Sequence, residues 1–233
     1  MALLNIQPSV KVKLLSKTIF STSGGYGYGY GGGGGGGLSS GLQAFYRLND
    51  LSDSSGNNKT LTNSGGITFV SGKIGNAANL PGNDTLTSAF NGIIGSNTSG
   101  SYSCWVNRNG VDEFPRCLIK AFGTSVYADS YNGGRLLSYI PSLGEFAESL
   151  SSSVWAHVVL SFDKTSQTVK LYKDGQVFHT GSTENVFENS DFTIGTGDGQ
   201  PGRGLVDAVG IWNRALTAGE ISELYNSGAG LEI

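Results

Sequence analysis

Apolar and polar residues alternate in short runs along most of this chain, and Gly, Asn, Asp and Ser stand between the runs. In the stretch from Gly204 to Trp212, Leu205, Asp207, Val209 and Ile211 interleave with Val206, Ala208, Gly210 and Trp212. Both parities are largely apolar, the pattern of a strand held between two layers. Thr217 follows, with Glu220 three residues on, a capping box that predicts a short helix, and Gly228 is placed to stop it. Asp174-Gly175 separates two alternating runs and predicts a two-residue hairpin turn, because both central residues of such a turn need positive φ. Near the start, Val10, Val12 and Leu14 alternate with Lys11 and Lys13 within Ser9 to Ser16, a short amphipathic strand pattern. Short alternating segments punctuated in this way predict an all-β fold, two antiparallel sheets packed as a sandwich.

Several segments carry a resemblance as well as a pattern. Gly204 to Gly228 resembles the end of a LamG-like jelly roll, in which a last strand of the type DEVRIYNRALS runs into a short AEEIxxLY helix. Gly41 to Asn58 resembles that family's opening strand and its DSSGNGN loop, and Gly72 to Ala77 its GKFGNA turn. Tyr102 to Asn107, Trp155 to Asp163 and Val169 to Gly181 match its ISAWVKP, WHHVAVTYD and VxLYVDGxLVATG segments, in the family's order. The resemblance implies a concanavalin A-like, LamG-like jelly-roll sandwich from Leu38 to Ile233. One departure is Leu80-Pro81-Gly82, where the family often has FDG, so a carboxylate near its ligand or metal face is missing.

Composition agrees with this reading. The chain has 37 glycines and 14% charged residues, against roughly 25% charged in an average domain, so Ser, Thr, Asn and Gln supply most of the polar surface. A single domain of about 195 residues buries around 70% of its unfolded surface and needs no disulfide. The net charge of -3 excludes a Lys/Arg stripe able to neutralise a run of phosphates, hence a nucleic-acid partner. Membrane insertion is not expected, and the opening residues lack the basic region, apolar core and cleavage site of a secretory signal. Cys104 and Cys117 are expected on neighbouring strands joined by the Arg108 to Pro115 loop, either as buried thiols or as a disulfide.

Residues 1–37 form a separate arm. Its alternating start leads into Gly24 to Tyr30, Gly and Tyr in turn after the first step, and then seven glycines, Gly31 to Gly37. Such a tract is either a flexible linker or an ordered element. Ordering its fourteen residues costs on the order of 14 to 28 kcal/mol, which only a packing partner can offset. In an ordered form Gly31, Gly34 and Gly37 would lie where backbones crowd a common axis, and Val10, Val12 and Leu14 would dock on a partner. This organisation resembles bacteriophage or viral virion proteins in which an extended arm attaches a displayed jelly roll. It implies other virion proteins as partners, a homo-oligomer, and a location on the virion after synthesis in the host cytoplasm. The alternative is an extracellular or cell-surface carbohydrate-binding module.

Catalysis finds no support in the motifs. The glucanases of this architecture use Glu-x-Asp-x-x-Glu, with alternate carboxylates on one strand face, and the pattern is absent. Glu145 and Glu148, three apart, should face opposite sides of a strand. Of the two histidines, His157 sits where the family packs its sheet, and Gly72-Lys73 lacks the rest of a phosphate loop. The resemblance implies a calcium ion on Asp50, Asp53, Asn57 and Asp207, Ca²⁺ taking six to eight oxygens at roughly 2.3 to 2.6 Å; an Asx-rich turn that satisfies its own backbone is the alternative. For a glycan, Tyr127, Asp129, Tyr131, Asn132 and Arg135, expected in a loop between two strands, offer aromatic faces with directed polar groups; subunit contacts are the alternative there.

Overall fold

Antiparallel pairing accounts for every strand pair among the described residues. In this computed structural model these are 37–90, 93–95, 98–110, 116–129, 134–188, 192–195 and 200–233. Eight strands form one sheet in the order β13 (Gln176–Ser182), β12 (Thr168–Lys173), β11 (Ala156–Asp163), β6 (Gly100–Asn107), β15 (Gly202–Trp212), β4 (Asn76–Gly82) and β3 (Thr68–Ser71), with β1 (Leu42–Tyr46) also paired to β15. Seven form the other: β10 (Gly144–Ser149), β9 (Arg135–Ile140), β8 (Thr124–Asp129), β7 (Arg116–Ala121), β14 (Phe192–Gly195), β5 (Thr85–Ser88) and β2 (Thr62–Ser64). This is the two-sheet, all-β jelly-roll sandwich that the pattern predicted. Chain contacts divide the protein between Gly34 and Gly35, and Val10, Val12, Leu14, Gly31 and Gly34 lie outside the described residues.

Alternation decides what each sheet contributes to the core. Tyr102, Cys104 and Val106 of β6, Val158, Leu160 and Phe162 of β11, and Val169 and Leu171 of β12 enter the main core. From the other sheet Leu86, Ile194, Ile119 and Val126 meet them. The eight-stranded sheet is buried on its outer side too. There Val159, Tyr172 and Trp212 pack under Leu38, Leu216, Ile221 and Leu224, and Phe45, Trp105 and Ala208 under Ile74, Tyr225 and Ile233. Every residue of β6 is consequently buried, the signature of a strand covered on both faces.

The roof over that outer side is α1 (Ala218–Tyr225). Thr217 Oγ1 accepts from Glu220 N at 3.3 Å while Thr217 N donates to Glu220 Oε2 at 2.8 Å, and Arg214 Nη1 donates to the same carboxylate at 3.0 Å. The capping box is therefore formed as expected. The helix stops two residues before the expected glycine, because Asn226 takes the left-handed conformation (φ 48°) and donates its N–H to Ser222 O. The Asp174-Gly175 turn has φ of 51° and 75°, as a two-residue hairpin requires.

Two expectations are corrected by the pairing. Cys104 and Cys117 lie on strands consecutive in sequence but in opposite sheets, β6 and β7; Cys104 is a free, buried thiol whose pKa burial pushes up. The alternation read along β15 is also broken. Asp207 pairs with Trp105 and Gly210 with Ser103, so β15 carries one residue more than β6 across that interval. The surplus is a bulge at Ala208, with φ 46°. It restores Val206, Val209 and Ile211 to the core side and leaves Asp207 on the outer side, fully buried. Asp207 Oδ2 accepts from Lys73 N and Ile74 N, each at 2.8 Å, and Oδ1 from Ala208 N at 2.7 Å.

Burial raises the Asp207 carboxyl from 3.8 to about 6, outweighing the N–H groups of Ile74, Ala208 and Lys73 that pull it down; Glu232 adds to the rise. Because the folded value lies above the unfolded one, this group's contribution to stability is fully present below the unfolded value and is lost as pH rises through about 6. Over that window the loss is on the order of 3 kcal/mol. Denaturant unfolding between pH 4 and 7 should show this slope in the native protein and not in Asp207→Asn, whose side chain does not titrate. Identical pH profiles for the two proteins would remove Asp207 as the cause.

Candidate functional site

On the seven-stranded sheet the register assembles an outward face from distant segments. Leu86, Ile194, Ile119 and Val126 point into the core, so their neighbours in each strand point the other way. Thr62 pairs with Thr87, Thr87 with Thr193, Thr193 with Lys120, Lys120 with Ser125, Ser125 with Tyr139, and Tyr139 with Glu145. One row thus crosses all seven strands. A second row places Tyr127 opposite Leu137, and a third Asp129 opposite Arg135. Tyr127, Tyr139, Lys120, Arg135, Thr87 and Thr193 are each half-buried. The face therefore combines two tyrosines with hydroxyls, an ammonium and a guanidinium. Among the described residues no helix or strand covers it, in contrast to the outer side of the eight-stranded sheet.

The row ends in a groove of about 410 Å³ where Thr62 and Thr87 meet Asn58, Lys59, Thr60 and Ala89. Its floor is fixed by Lys59 O, which accepts from Tyr46 Oη at 2.7 Å and Ser88 Oγ at 3.1 Å. Lys59 Nζ donates to Ala89 O at 3.2 Å and lies 5.5 Å from the centre of the Phe90 ring.

Of the residues expected to bind a ligand, Tyr127 and Asp129 fall within β8 and Arg135 opens β9. They are strand residues, not the loop residues the sequence suggested, because the hairpin ladder runs on as far as the Asp129–Arg135 pair. Tyr131 and Asn132 lie outside the described residues. Lys120, Tyr139, Thr87 and Thr193 were missed. The inward series Leu136, Ser138, Ile140 of β9 signals that Tyr139 points outward, but nothing local signals that β14 inserts between β7 and β5.

The residues expected to hold calcium serve other purposes. Asp53 Oδ1 accepts from Phe45 N (3.0 Å) and Ser55 N (2.9 Å), and Oδ2 from Ser55 Oγ and Lys59 N (2.9 Å each). Burial pushes its pKa up, but these donors outweigh that and hold it below the usual carboxylate range. Asn57 donates to Leu42 O at 2.9 Å, and the exposed Asp50 accepts from Ser52 N at 2.7 Å. Asp207 is turned toward the Lys73 and Ile74 backbone. Hydrogen-bond donors occupy both carboxylate oxygens of Asp53 and of Asp207, whereas Asn57 takes part through its amide nitrogen and Asp50 through Oδ1. Around Asp53 the loop takes the form of the Asx-rich turn that satisfies its own backbone. Gly37, assigned to attachment, belongs to the domain: its carbonyl accepts from Arg214 Nη2 at 2.9 Å. A side chain there would meet nothing within 4 Å, so its φ of 59° rather than crowding favours glycine.

One serine–histidine pair exists. Ser103 Oγ and His157 Nε2 are 2.8 Å apart and both residues are buried. His157 Nδ1 has no partner, so no acid orients the ring as a catalytic triad requires. Burial pushes the imidazole down to about 3, and Trp105 and Tyr225 lie against it with ring centres at 5.1 and 6.0 Å. Glu145 and Glu148 occupy opposite phases of β10, one exposed and one half-buried.

The Asp53 geometry gives a direct test. Asp53→Ala strands three backbone donors, Phe45 N near the end of β1 and Ser55 N and Lys59 N in the loop that follows, each worth about 1 kcal/mol or more, so its melting temperature should fall by several degrees. That fall should be the same with and without EDTA. A drop in the native protein on adding EDTA alone would restore the calcium site.

The chain matches the Laminin_G_3 family, concanavalin A-like lectin/glucanases superfamily, over residues 75–222. Among solved structures it resembles domain 4 of AbnA, a GH43 extracellular arabinanase from Geobacillus stearothermophilus in complex with arabinotriose. The TM-score is 0.61, with 27% identity over 78% of this chain and 97% of that one. The binding domain of Paraclostridial Mosquitocidal Protein 1 gives 0.63 at 18% identity, covering 82% of this chain and 53% of the other. The receptor binding domain of a botulinum neurotoxin C/D mosaic serotype gives 0.62 at 14%, covering 81% and 52%. The last two likenesses are of fold, and this chain spans about half of each. Comparison with curated proteins matches none, and no helix among the described residues is long and apolar enough to cross a membrane. With the match taking in more than half of its length, the chain belongs to the Laminin_G_3 family of the concanavalin A-like lectin/glucanase superfamily.

Proposed function

We propose that this protein is a non-enzymatic glycan-binding module whose ligand surface is the outward face of the seven-stranded sheet. The observation that carries the reading is the register that sets Tyr127 and Tyr139 beside Lys120, Arg135 and the threonine row on the outward face of one sheet. Tyrosine rings stack on the apolar faces of sugar rings, and the surrounding hydroxyls and charges fix orientation. The likeness to an arabinanase domain in complex with arabinotriose supports the same reading. The separated glutamates of β10 and the buried, unoriented His157 support binding without turnover. Arabinotriose and a panel of cell-surface glycans should bind the native protein. Tyr127→Ala and Tyr139→Ala should each weaken binding about ten-fold, the loss of one aromatic platform, at an unchanged melting temperature. No reducing sugar should be released. Release of sugar that is lost on replacing Glu145 or Glu148, or full affinity in both tyrosine variants, would sink the proposal.

The finer part of the proposal is where the module works. Residues 1–37 attach it to a virion, where it decorates the particle or adheres to host-surface glycan. The alternating Val10, Val12 and Leu14 suit strand addition to a partner's edge, and the Gly31 to Gly37 tract suits close backbone approach within an oligomer. Protein lacking residues 1–37 should stay folded yet be lost from the particle, and Gly34→Val should impair assembly. Normal occupancy of the truncated protein on particles would favour the free carbohydrate-binding module instead.

A further inference from the structure

A second groove, of about 270 Å³, lies on the outer side of the eight-stranded sheet, between β11 and β12 and the chain leading into α1. Val169 and Leu171 of β12 enter the core, so Thr168, Lys170 and Tyr172 stand on the outer side and line the groove. Tyr172 is only 4% exposed. Its ring packs beneath Leu216 and Ile221, and its hydroxyl makes no hydrogen bond among the described residues. That hydroxyl is not among the enclosed unpaired atoms, so it opens onto the groove that Tyr172 lines, where a ligand can replace the water that meets it.

The charges in and beside the groove are unequally committed. Asp163 accepts from Thr165 N at 3.0 Å and Ser166 Oγ at 2.8 Å, and these bonds hold its carboxyl below the usual range. Glu220 is taken by Arg214 and by Thr217. Ser161 Oγ is saturated, donating to Leu216 O at 3.1 Å and accepting from Leu216 N at 3.0 Å. Lys170 makes no ion pair or hydrogen bond among the described residues and is exposed. Ala218, on the opposite wall, is the first residue of α1, and its N–H is one of the donors that a helix start leaves without an intrahelical acceptor.

The uncommitted groups are thus an ammonium, a helix N–H and a phenol. Two of them are donors only, and the positive end of the helix lies beside them. Such a set calls for a ligand that carries an anionic group together with hydroxyls. The volume falls just below the roughly 300 Å³ at which pockets for drug-sized molecules begin, room for a single sugar ring. We infer that this groove binds one acidic saccharide residue, with its carboxylate on Lys170 and Ala218 N–H and a ring hydroxyl on Tyr172 Oη. The site is separate from the tyrosine face of the other sheet and rests on its own observations, so the two stand or fall independently.

Titration of the full chain with glucuronate, followed by backbone amide NMR, tests the inference, with glucose and inorganic sulfate as comparison ligands. Glucuronate should shift the amides of Lys170, Tyr172 and Ala218, and glucose should leave them in place. Lys170→Gln should weaken glucuronate binding about ten-fold, as expected for one charge-assisted hydrogen bond. Tyr172→Phe keeps the ring in its packing and should weaken binding by a smaller factor at an unchanged melting temperature. Absence of groove shifts with glucuronate, or equal affinity in Lys170→Gln, overturns the site. Sulfate binding at the same affinity with the same shifts overturns its saccharide character.

Discussion

Because the central strands of the eight-stranded sheet are buried on both sides, the polar side chains enclosed on its outer side have to find partners inside the protein. The structure meets this demand with a small number of bonds that also tie down the covering segments. Ser101 Oγ and Ser161 Oγ, 3.1 Å apart, both accept from Leu216 N at 3.0 Å, and between them they donate to Arg214 O and Leu216 O. Trp212 Nε1 donates to Leu38 O at 2.7 Å. The first described residues and the approach to α1 are thus fastened to the same sheet by groups that had to be satisfied in any case.

That covering sets the two sheets apart. With α1, Leu38 and the C-terminal residues spent on one sheet, the other has no helix or strand over its outward side among the described residues, and its composition differs accordingly. Rows of Thr, Lys, Tyr and Glu replace the Ser, His and Trp of the covered side. The charged residues of the covered side are consumed in structure. Arg214 holds Glu220, Ser40 O and Gly37 O, and Lys73 lies 4.7 Å from the centre of the Trp105 ring, a contact that shields the indole from solvent. The groove at Lys170 is the exception, at the rim where the roof stops.

Local features were legible in the sequence where local chemistry decides them. The Thr217 capping box, the Asp174-Gly175 turn and the opposite phases of Glu145 and Glu148 all follow from spacing within a few residues. Features set by partners distant in sequence were not. The strands carrying Cys104 and Cys117 part company because β6 pairs with β11 and β15 while β7 pairs with β8 and β14. The bulge at Ala208 was invisible because Asp207 and Val209 still read as alternate positions until the extra residue against β6 is counted. On the outward face of the seven-stranded sheet, Tyr127, Asp129 and Arg135 stand out by their residue types, whereas Lys120, Thr87 and Thr193 join them only by pairing across four strands. The calcium expectation meets a related ambiguity. Asp and Asn in a loop supply the same oxygens to a cation or to backbone N–H groups, and at Asp53 four donors had already filled the carboxylate.

The buried Ser103–His157 pair shows how far a constellation can resemble chemistry while serving packing. An imidazole whose charged form burial disfavours so strongly stays neutral across the physiological range, and a neutral ring can lie among the Trp105 and Tyr225 rings without the cost of burying a cation. Its Nε2 meets the Ser103 hydroxyl, and its backbone N–H donates to Asp174 Oδ1 at 2.9 Å. Asp174 N returns a bond to His157 O at 2.8 Å, so the tight turn between β12 and β13 is clamped to β11. The orphaned Nδ1 costs on the order of 1 to 3 kcal/mol, which the aromatic contacts and the clamp together offset. A nucleophile needs a base that can take its proton and an open path to substrate, and this ring, beneath the helix, offers neither. What it provides is a fixed point at the end of the β11–β12 pair, against which Tyr225 of α1 and the turn at Asp174 hold their positions.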